Sequence, residues 1–337
     1  MACYNPKKAI YIPELRKLQF KWSGNQKSYQ EAIGEIKRPD GARWVQIPCR
    51  QCIGCRLDYS REWATRITIE CKKSPHNWFI TFTYNDENLP WKEVINKETG
   101  ELITHATLVP KDLTDLNKRI RRHWEYHYNH TGIKFFGCGE YGSKTERPHY
   151  HVAYMNFPID ESKLKQIGNN KQGDALFTHP EIEKLWGKGF ITIGELNWQS
   201  AAYVARYITK KQMGKESDQY YKANAMEKEF TRVSRNPGIG MEPKGGAEFI
   251  EEIMRQDSIN VSTKKGVKQM RIPKIYDTQY SALEPDQMAL IKQKRAENAV
   301  KARELQLSKT TDEEWEHLRK EGERKAEAAK KLLRKIE

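Results

Sequence analysis

Two stretches of this 337-residue chain bring together side chains that do chemistry in combination. In Arg147-Pro148-His149-Tyr150-His151-Val152-Ala153-Tyr154, strand alternation puts His149, His151 and Ala153 on one face and Tyr150, Val152 and Tyr154 on the other. Two neighbouring imidazoles can hold a divalent cation, and Glu140, at the end of the preceding strand, adds a hard oxygen. A His/His/carboxylate set leaves positions open for water and phosphate oxygens and suits Mg²⁺ or Mn²⁺. Alone, the His-x-His pair reads more readily as two exposed edge-strand histidines. The second stretch is Ala201 to Lys211. Ala201, Val204, Ala205 and Ile208 form an apolar helical face, while Tyr203, Arg206, Tyr207 and Lys210 follow the same spacing on a different face. A structural tyrosine would join the apolar stripe; these two share theirs with cations. A phenol, with an ordinary pKa of about 10, is a poor nucleophile at neutral pH. A polarised phosphate and nearby cations that favour phenolate make its attack feasible. The competing reading is that both rings line a groove and stack on bases.

A third group is the cysteines. The N-terminus lacks the basic, apolar and small-residue succession of a secretory signal, so the six cysteines are not expected to form a disulfide scaffold. Cys49, Cys52 and Cys55 follow a C-x₂-C-x₂-C spacing, and Cys3 can complete a tetrahedral Zn²⁺ site. Free thiols and an iron–sulfur cluster remain open alternatives. Cys71 and Cys138 read as small buried hydrophobes.

The elements that must position these residues are legible in outline. A helix is expected over residues 57–72, with Tyr59, Trp63 and Ile67 on one stripe, followed by a strand from Trp78 to Tyr84. Leu113, Leu116, Ile120 and Trp124 share one face of a helix from Asp112 to about His127, with Arg119, Arg121 and Arg122 largely away from it. Strands follow at Ile133–Phe136, loosening at Gly137 and Gly139, then after Pro148 and at Phe190–Ile193. Asn197 or Ser200 caps a helix through Lys211. Half-polar strands and long connections favour an α+β sheet with helices on one face over a doubly wound parallel sheet. The stretch after Gly214 reads as irregular, and the tail from Thr311 as a charged helix.

Composition narrows the partners. At 37% hydrophobic and 31% charged, the chain can bury a core and is not wholly disordered. Nowhere does an apolar run approach the roughly 18 residues that span a bilayer. The tail beyond residue 281 is nearly charge-balanced, so most of the net +14 lies in the first 280 residues with most of the aromatics. A basic, aromatic body points to a polyanion, most simply nucleic acid.

The two-histidine strand followed by Tyr203 and Tyr207 resembles the HUH endonucleases, specifically their two-tyrosine replication initiators. Phe79 to Tyr84 is similar to their first strand motif. The nearest likeness is to initiators of small single-stranded DNA phages of the gokushovirus branch of the microviruses. It is carried by Pro48-Cys49-x-x-Cys52-x-x-Cys55, by Arg147 to His151 and by Ser234 to Gly240, and covers roughly residues 1–275. The resemblance implies an HUH-type central antiparallel sheet and metal-dependent nicking and joining of origin DNA through a 5′-phosphotyrosine. It also implies catalytic roles for Tyr203, Tyr207 and Lys210, and metal ligation by Glu140, His149 and His151. Glu140 is preferred to Glu146, which lies in the polar Ser143-Lys144-Thr145 turn. Arg147, Arg206 and Lys211 are expected to contact DNA. Arg206 stands where related initiators often have Lys, and an Arg scarcely deprotonates.

Phage origin DNA and host helicase and polymerase are the implied partners, with no membrane, in the cytoplasm of a bacterial host. Four segments are expected: 1–60 cysteine-rich, 61–215 endonuclease core, 216–280 an irregular basic extension, and 281–337 a charged helical tail. Two other readings are weighed: a zinc-stabilised nucleic-acid-binding module without catalysis, and a relaxase or transposase of another mobile element.

Overall fold

The computed structural model describes residues 3–12, 17–19, 43–95, 99–142, 145–170, 172–210, 215–241, 246–263 and 266–336. The chain forms two units, Met1–Asp58 with Arg295–Glu337, and Tyr59–Lys294. In the first, β1 (Lys7–Ile12) pairs antiparallel with β2 (Lys17–Gln19) and with β3 (Arg43–Ile47). The cysteine segment then leads into α1 (Ile53–Cys71).

The second unit is built on β4 (Asn77–Tyr84), the hairpin β5 (Trp91–Ile95) and β6 (Leu102–Ala106), α2 (Pro110–Tyr128), β7 (Lys134–Tyr141) and β8 (Pro148–Met155). It continues with β9 (Lys165–Asn169), β10 (Ala175–Thr178), α3 (Pro180–Trp186), β11 (Gly189–Glu195), α4 (Trp198–Lys210), α5 (Lys215–Ala223) and β12 (Phe230–Val233). Seven of these strands form one sheet in the order β12-β7-β8-β4-β11-β10-β9. Every neighbouring pair in it is antiparallel. The antiparallel α+β architecture is as expected.

One face of this sheet presents Ile80, Phe82, Tyr150, Val152, Tyr154, Ile191 and Ile193 to α2 and α3. The stripe Leu113, Leu116, Ile120 and Trp124 of α2 is fully buried there. Pro110 at the first turn starts that helix, and Asn129, left-handed at φ 47°, ends it. The other face is covered too, which corrects the expectation of helices on one face. Phe136, Cys138, Ala153 and Met155 pack against Ala64 and Ile67 of α1 and Ala201 and Val204 of α4. The reason lies in the strands: on this second face β7 and β8 are apolar along much of their length and need cover. They turn polar where Glu140 pairs with His149.

Gly137 and Gly139 do not loosen β7, which runs unbroken from Lys134 to Tyr141. They admit neighbours instead. A Cβ on Gly139 would lie 2.7 Å from Phe230 Cε1 and 3.0 Å from Leu108 Cδ2, and one on Gly137 would lie 3.2 Å from Leu113 Cδ2. Gly139→Val is expected to lower stability by about 1–3 kcal/mol through overpacking. A denaturant midpoint equal to that of the parent would contradict the close approach.

The stretch that reads as irregular is folded. α6 (Ala247–Gln256), the hairpin β13 (Ile259–Thr263) and β14 (Gly266–Met270), α7 (Lys274–Leu283) and the start of α8 (Pro285–Leu307) enclose a third cluster. Its centre is Ile250, Ile253, Met254, Val261, Met270 and Tyr276. Its elements are short, so their periodicity is weak. The last helix is α9 (Glu314–Ile336). Among the described residues no helix is long and apolar enough to cross a membrane.

Candidate active site

Glu140 and His149 face each other directly across β7 and β8, and His151 lies next along the same face, opposite Thr81 of β4. His149 donates from Nδ1 to the Arg147 carbonyl at 3.0 Å, because a carbonyl only accepts, and its Nε2 faces Glu140 Oε1 at 2.7 Å. His151 meets Thr81 Oγ1 through Nδ1 at 2.8 Å and the same Glu140 oxygen through Nε2 at 3.1 Å. A neutral imidazole has one N–H. With an acceptor at each ring nitrogen, His149 requires either a second proton or a cation in that proton's place.

Glu140 is 4% exposed, and its Oε2 is buried with no hydrogen-bond partner. Leaving such an atom unsatisfied costs about 1–3 kcal/mol, a penalty that a bound cation removes. Burial would raise the pKa of this carboxyl, but the hydrogen bonds and charge of His149 and His151 outweigh it and hold the group below its ordinary value. One ligand atom from each of the three residues lies within 4.8 Å of the others. Two nitrogens and a carboxylate oxygen therefore fit a divalent ion. Glu146 is exposed, with φ 49°, and its carboxylate stands 4.0 Å from His105.

Thr81 is a residue that periodicity alone does not single out. Its hydroxyl sets the direction of the His151 ring, so Thr81→Val is expected to weaken Mn²⁺ binding by about 10–100-fold. Titration calorimetry reads this, and unchanged affinity would remove Thr81 from the site.

The start of α4 is set by a reciprocal cap: Asn197 Oδ1 accepts from Ser200 N at 3.0 Å, and Ser200 Oγ accepts from Asn197 N at 2.8 Å. Burial of Ala201, Val204 and Ala205 then fixes the helix's rotation about its axis. Tyr203 emerges at its edge, with its ring centroid 5.6 Å from that of His151 and 6.1 Å from that of Phe79. Phe79 stacks on His151 at 5.4 Å and so buttresses both rings. Arg206, Tyr207 and Lys210 lie on α4, their side chains outside the described residues; Lys211 lies outside them altogether.

Other residues singled out in the sequence take structural partners. Arg147 donates to the Tyr84 carbonyl at 3.0 Å and pairs with Asp86 at 2.6 Å. Arg121 donates to the Ile133 carbonyl and to Ser234 Oγ. The Ser234–Gly240 segment is clasped to its own unit. Arg66 donates to the Ile239 carbonyl at 2.9 Å, and Gly240 N–H donates to buried Glu70 at 2.7 Å, which also pairs with Lys134 at 2.9 Å.

The cysteines converge in the first unit. The sulfurs of Cys3, Cys49, Cys52 and Cys55 all lie within 4.8 Å of one another, a group able to hold a metal. Backbone N–H groups point at three of them: Cys49 N to Cys3 Sγ at 3.2 Å, Tyr4 N to Cys52 Sγ at 3.3 Å, and Gln51 N and Cys52 N to Cys49 Sγ at 3.4 and 3.2 Å. Arg50, left-handed at φ 61°, makes the turn that aims the last two.

A family model for replication-associated proteins of the ORF2 type matches residues 77–212, from the first residue of β4 to just past α4. The chain is 37% identical over 302 residues to replication-associated protein ORF2 of Spiroplasma virus 4, covering 88% of this chain and 86% of that protein. It is 34% identical over 165 residues to replication-associated protein VP4 of Bdellovibrio phage phiMH2K, 49% of this chain and 48% of that one. Against replication-associated protein ORF4 of Chlamydia phage 1 it is 30% identical over 167 residues, 49% of this chain and 38% of that one. No solved structure matches.

The central antiparallel sheet, with two histidines and a glutamate on one face and a tyrosine-bearing helix beside them, is of the HUH type. The chain belongs to the replication-associated proteins of the microviruses, and its role is in phage replication.

Proposed function

We propose that the chain nicks and rejoins single-stranded DNA at the phage origin, using tyrosine as nucleophile, and so starts and ends rolling-circle replication. The observation that carries this reading is the 5.6 Å approach of the Tyr203 ring to His151, beside a buried carboxylate with an unpartnered oxygen. Glu140, His149 and His151 would hold Mg²⁺ or Mn²⁺, which when bound supplies electrophilic assistance to the scissile phosphate. Tyrosine Oη attacks phosphorus, the bond from phosphorus to the 3′-oxygen breaks, and the phenolic proton departs. The 3′-oxygen takes up a proton, leaving a 5′-phosphotyrosyl link and a free 3′-OH that primes synthesis. Lys210 is assigned to proton delivery, a role closed to Arg206 by its high pKa. Arg206, Lys211 and Arg147 are assigned to the DNA backbone.

Once a circle has been copied, the partner tyrosine cuts the regenerated origin. The released 3′-OH then attacks the first phosphotyrosine and closes the circle. Tyr203 and Tyr207, one helical turn apart, allow this alternation within one molecule. Host helicase and polymerase are the partners this scheme requires. The thiolates of Cys3, Cys49, Cys52 and Cys55 take no part in the chemistry and suit a structural zinc ion.

Incubation of the protein with labelled origin single-stranded DNA and Mn²⁺ tests the reading. The expected products are a denaturant-resistant protein–DNA species and a shortened strand ending in 3′-OH. Binding without cleavage in either metal would favour a non-catalytic module instead.

A further inference from the structure

The unit formed by Met1–Asp58 and Arg295–Glu337 joins the two ends of the chain. Its core is sparse. Among its described residues the buried apolar ones are Cys3, Ala9 and Cys49, whereas the unit Tyr59–Lys294 buries large aromatic and aliphatic side chains throughout. Such a unit needs a staple, and a structural metal is one solution. Two of those three buried residues are themselves in the cysteine cluster.

The cluster's dimensions select the ion. Cys49 and Cys55 sulfurs stand 4.0 Å apart and those of Cys3 and Cys52 3.9 Å. Four sulfurs at the usual Zn–S bond length on a tetrahedron are separated by about 3.8 Å. A four-iron cluster occupies the space between its thiolates and holds them farther apart.

The residue after Cys3 connects this cluster to the C-terminal helix. Tyr4 donates its N–H to Cys52 Sγ. On its other side Tyr4 meets Gly322, where a Cβ would come within 2.9 Å of the Tyr4 Cβ and 3.2 Å of its Cγ. Gly322 lies within α9, so a glycine, which weakens a helix by about 1 kcal/mol relative to alanine, is used where the helix rests on Tyr4. Arg303 extends the contact, reaching Gln46 Oε1 at 3.3 Å and pairing with Glu314 at the start of α9.

We infer that zinc bound by Cys3, Cys49, Cys52 and Cys55 is a clasp for the C-terminal helix: it fixes Tyr4, and Tyr4 seats α9 at Gly322. The inference rests on the zinc reading of the four thiolates and is independent of the nicking chemistry. Without the ion, Cys3 and Tyr4 lose their anchor to the cysteine turn, and α9 loses its seat.

The test uses the full-length protein purified without chelator. Metal analysis is expected to find zinc lost in Cys49→Ser, and cobalt exchange to give the intense visible bands of tetrathiolate coordination. Stripping zinc with a chelator is expected to speed amide hydrogen exchange across Glu314–Ile336 by about tenfold or more, with Pro110–Tyr128 as the unaffected reference. Gly322→Val is expected to retain zinc and the cobalt spectrum while showing the same faster exchange in α9. Absence of zinc, or an iron chromophore, overturns the metal assignment. Zinc present but exchange in α9 unchanged by chelation and by Gly322→Val overturns the clasp while leaving the metal assignment standing.

Discussion

Replacing Tyr203 and Tyr207 together with phenylalanine is expected to abolish the covalent protein–DNA species, a loss on the order of 10³-fold or more in nicking rate. Phenylalanine keeps the ring and removes the attacking oxygen, so the packing of Tyr203 against Phe79 and His151 survives. DNA binding is therefore expected to stay near the parent value, which separates a nucleophile from a stacking platform. If the rings only stack, the double variant nicks as well as the parent or neither protein nicks at all. The single changes differ: Tyr203→Phe is expected to suppress first-strand nicking more strongly, since the Tyr203 ring lies beside His151. Tyr207→Phe is expected to spare the first cut and impair rejoining. A denaturing gel of labelled origin DNA reads both steps.

Glu140→Gln is the second large effect expected. The substitution keeps shape and removes the negative charge on which His149 and His151 both converge. A loss in Mn²⁺ affinity on the order of 10²-fold, about 2.7 kcal/mol, is expected, with nicking reduced in parallel at limiting metal. Partial recovery at saturating Mn²⁺ would mark the defect as one of binding. Glu146→Gln is the control, because that carboxylate is exposed and reaches His105 rather than the histidine pair. Equal metal affinity in the parent and Glu140→Gln would remove Glu140 from the site.

Much of the site is a matter of local periodicity. Two-residue alternation alone places His149 and His151 on one face of β8 and Tyr150, Val152 and Tyr154 on the other. The 3.6-residue period places Tyr203 off the buried stripe of Ala201, Val204 and Ala205, and the four-residue stripe of α2 is buried where its pattern puts it. The cysteine spacing marks a metal-binding turn in the same way. Each follows because a side chain's direction within one element depends on a few neighbouring backbone angles.

What folding in three dimensions decided is which separate segments meet. Strand register set Glu140, rather than Glu146, opposite His149, and brought Thr81 to His151 across β4. It also left both sheet faces apolar enough to need helices, and turned Arg121 and Arg147 toward backbone carbonyls of their own unit. Cys3 reached a turn whose Cys49 lies 46 positions along the chain. Such pairings are settled by the summed packing and hydrogen bonding of the whole sheet and core, where a slip of one residue reverses every side chain's face, and no local window of sequence contains that sum.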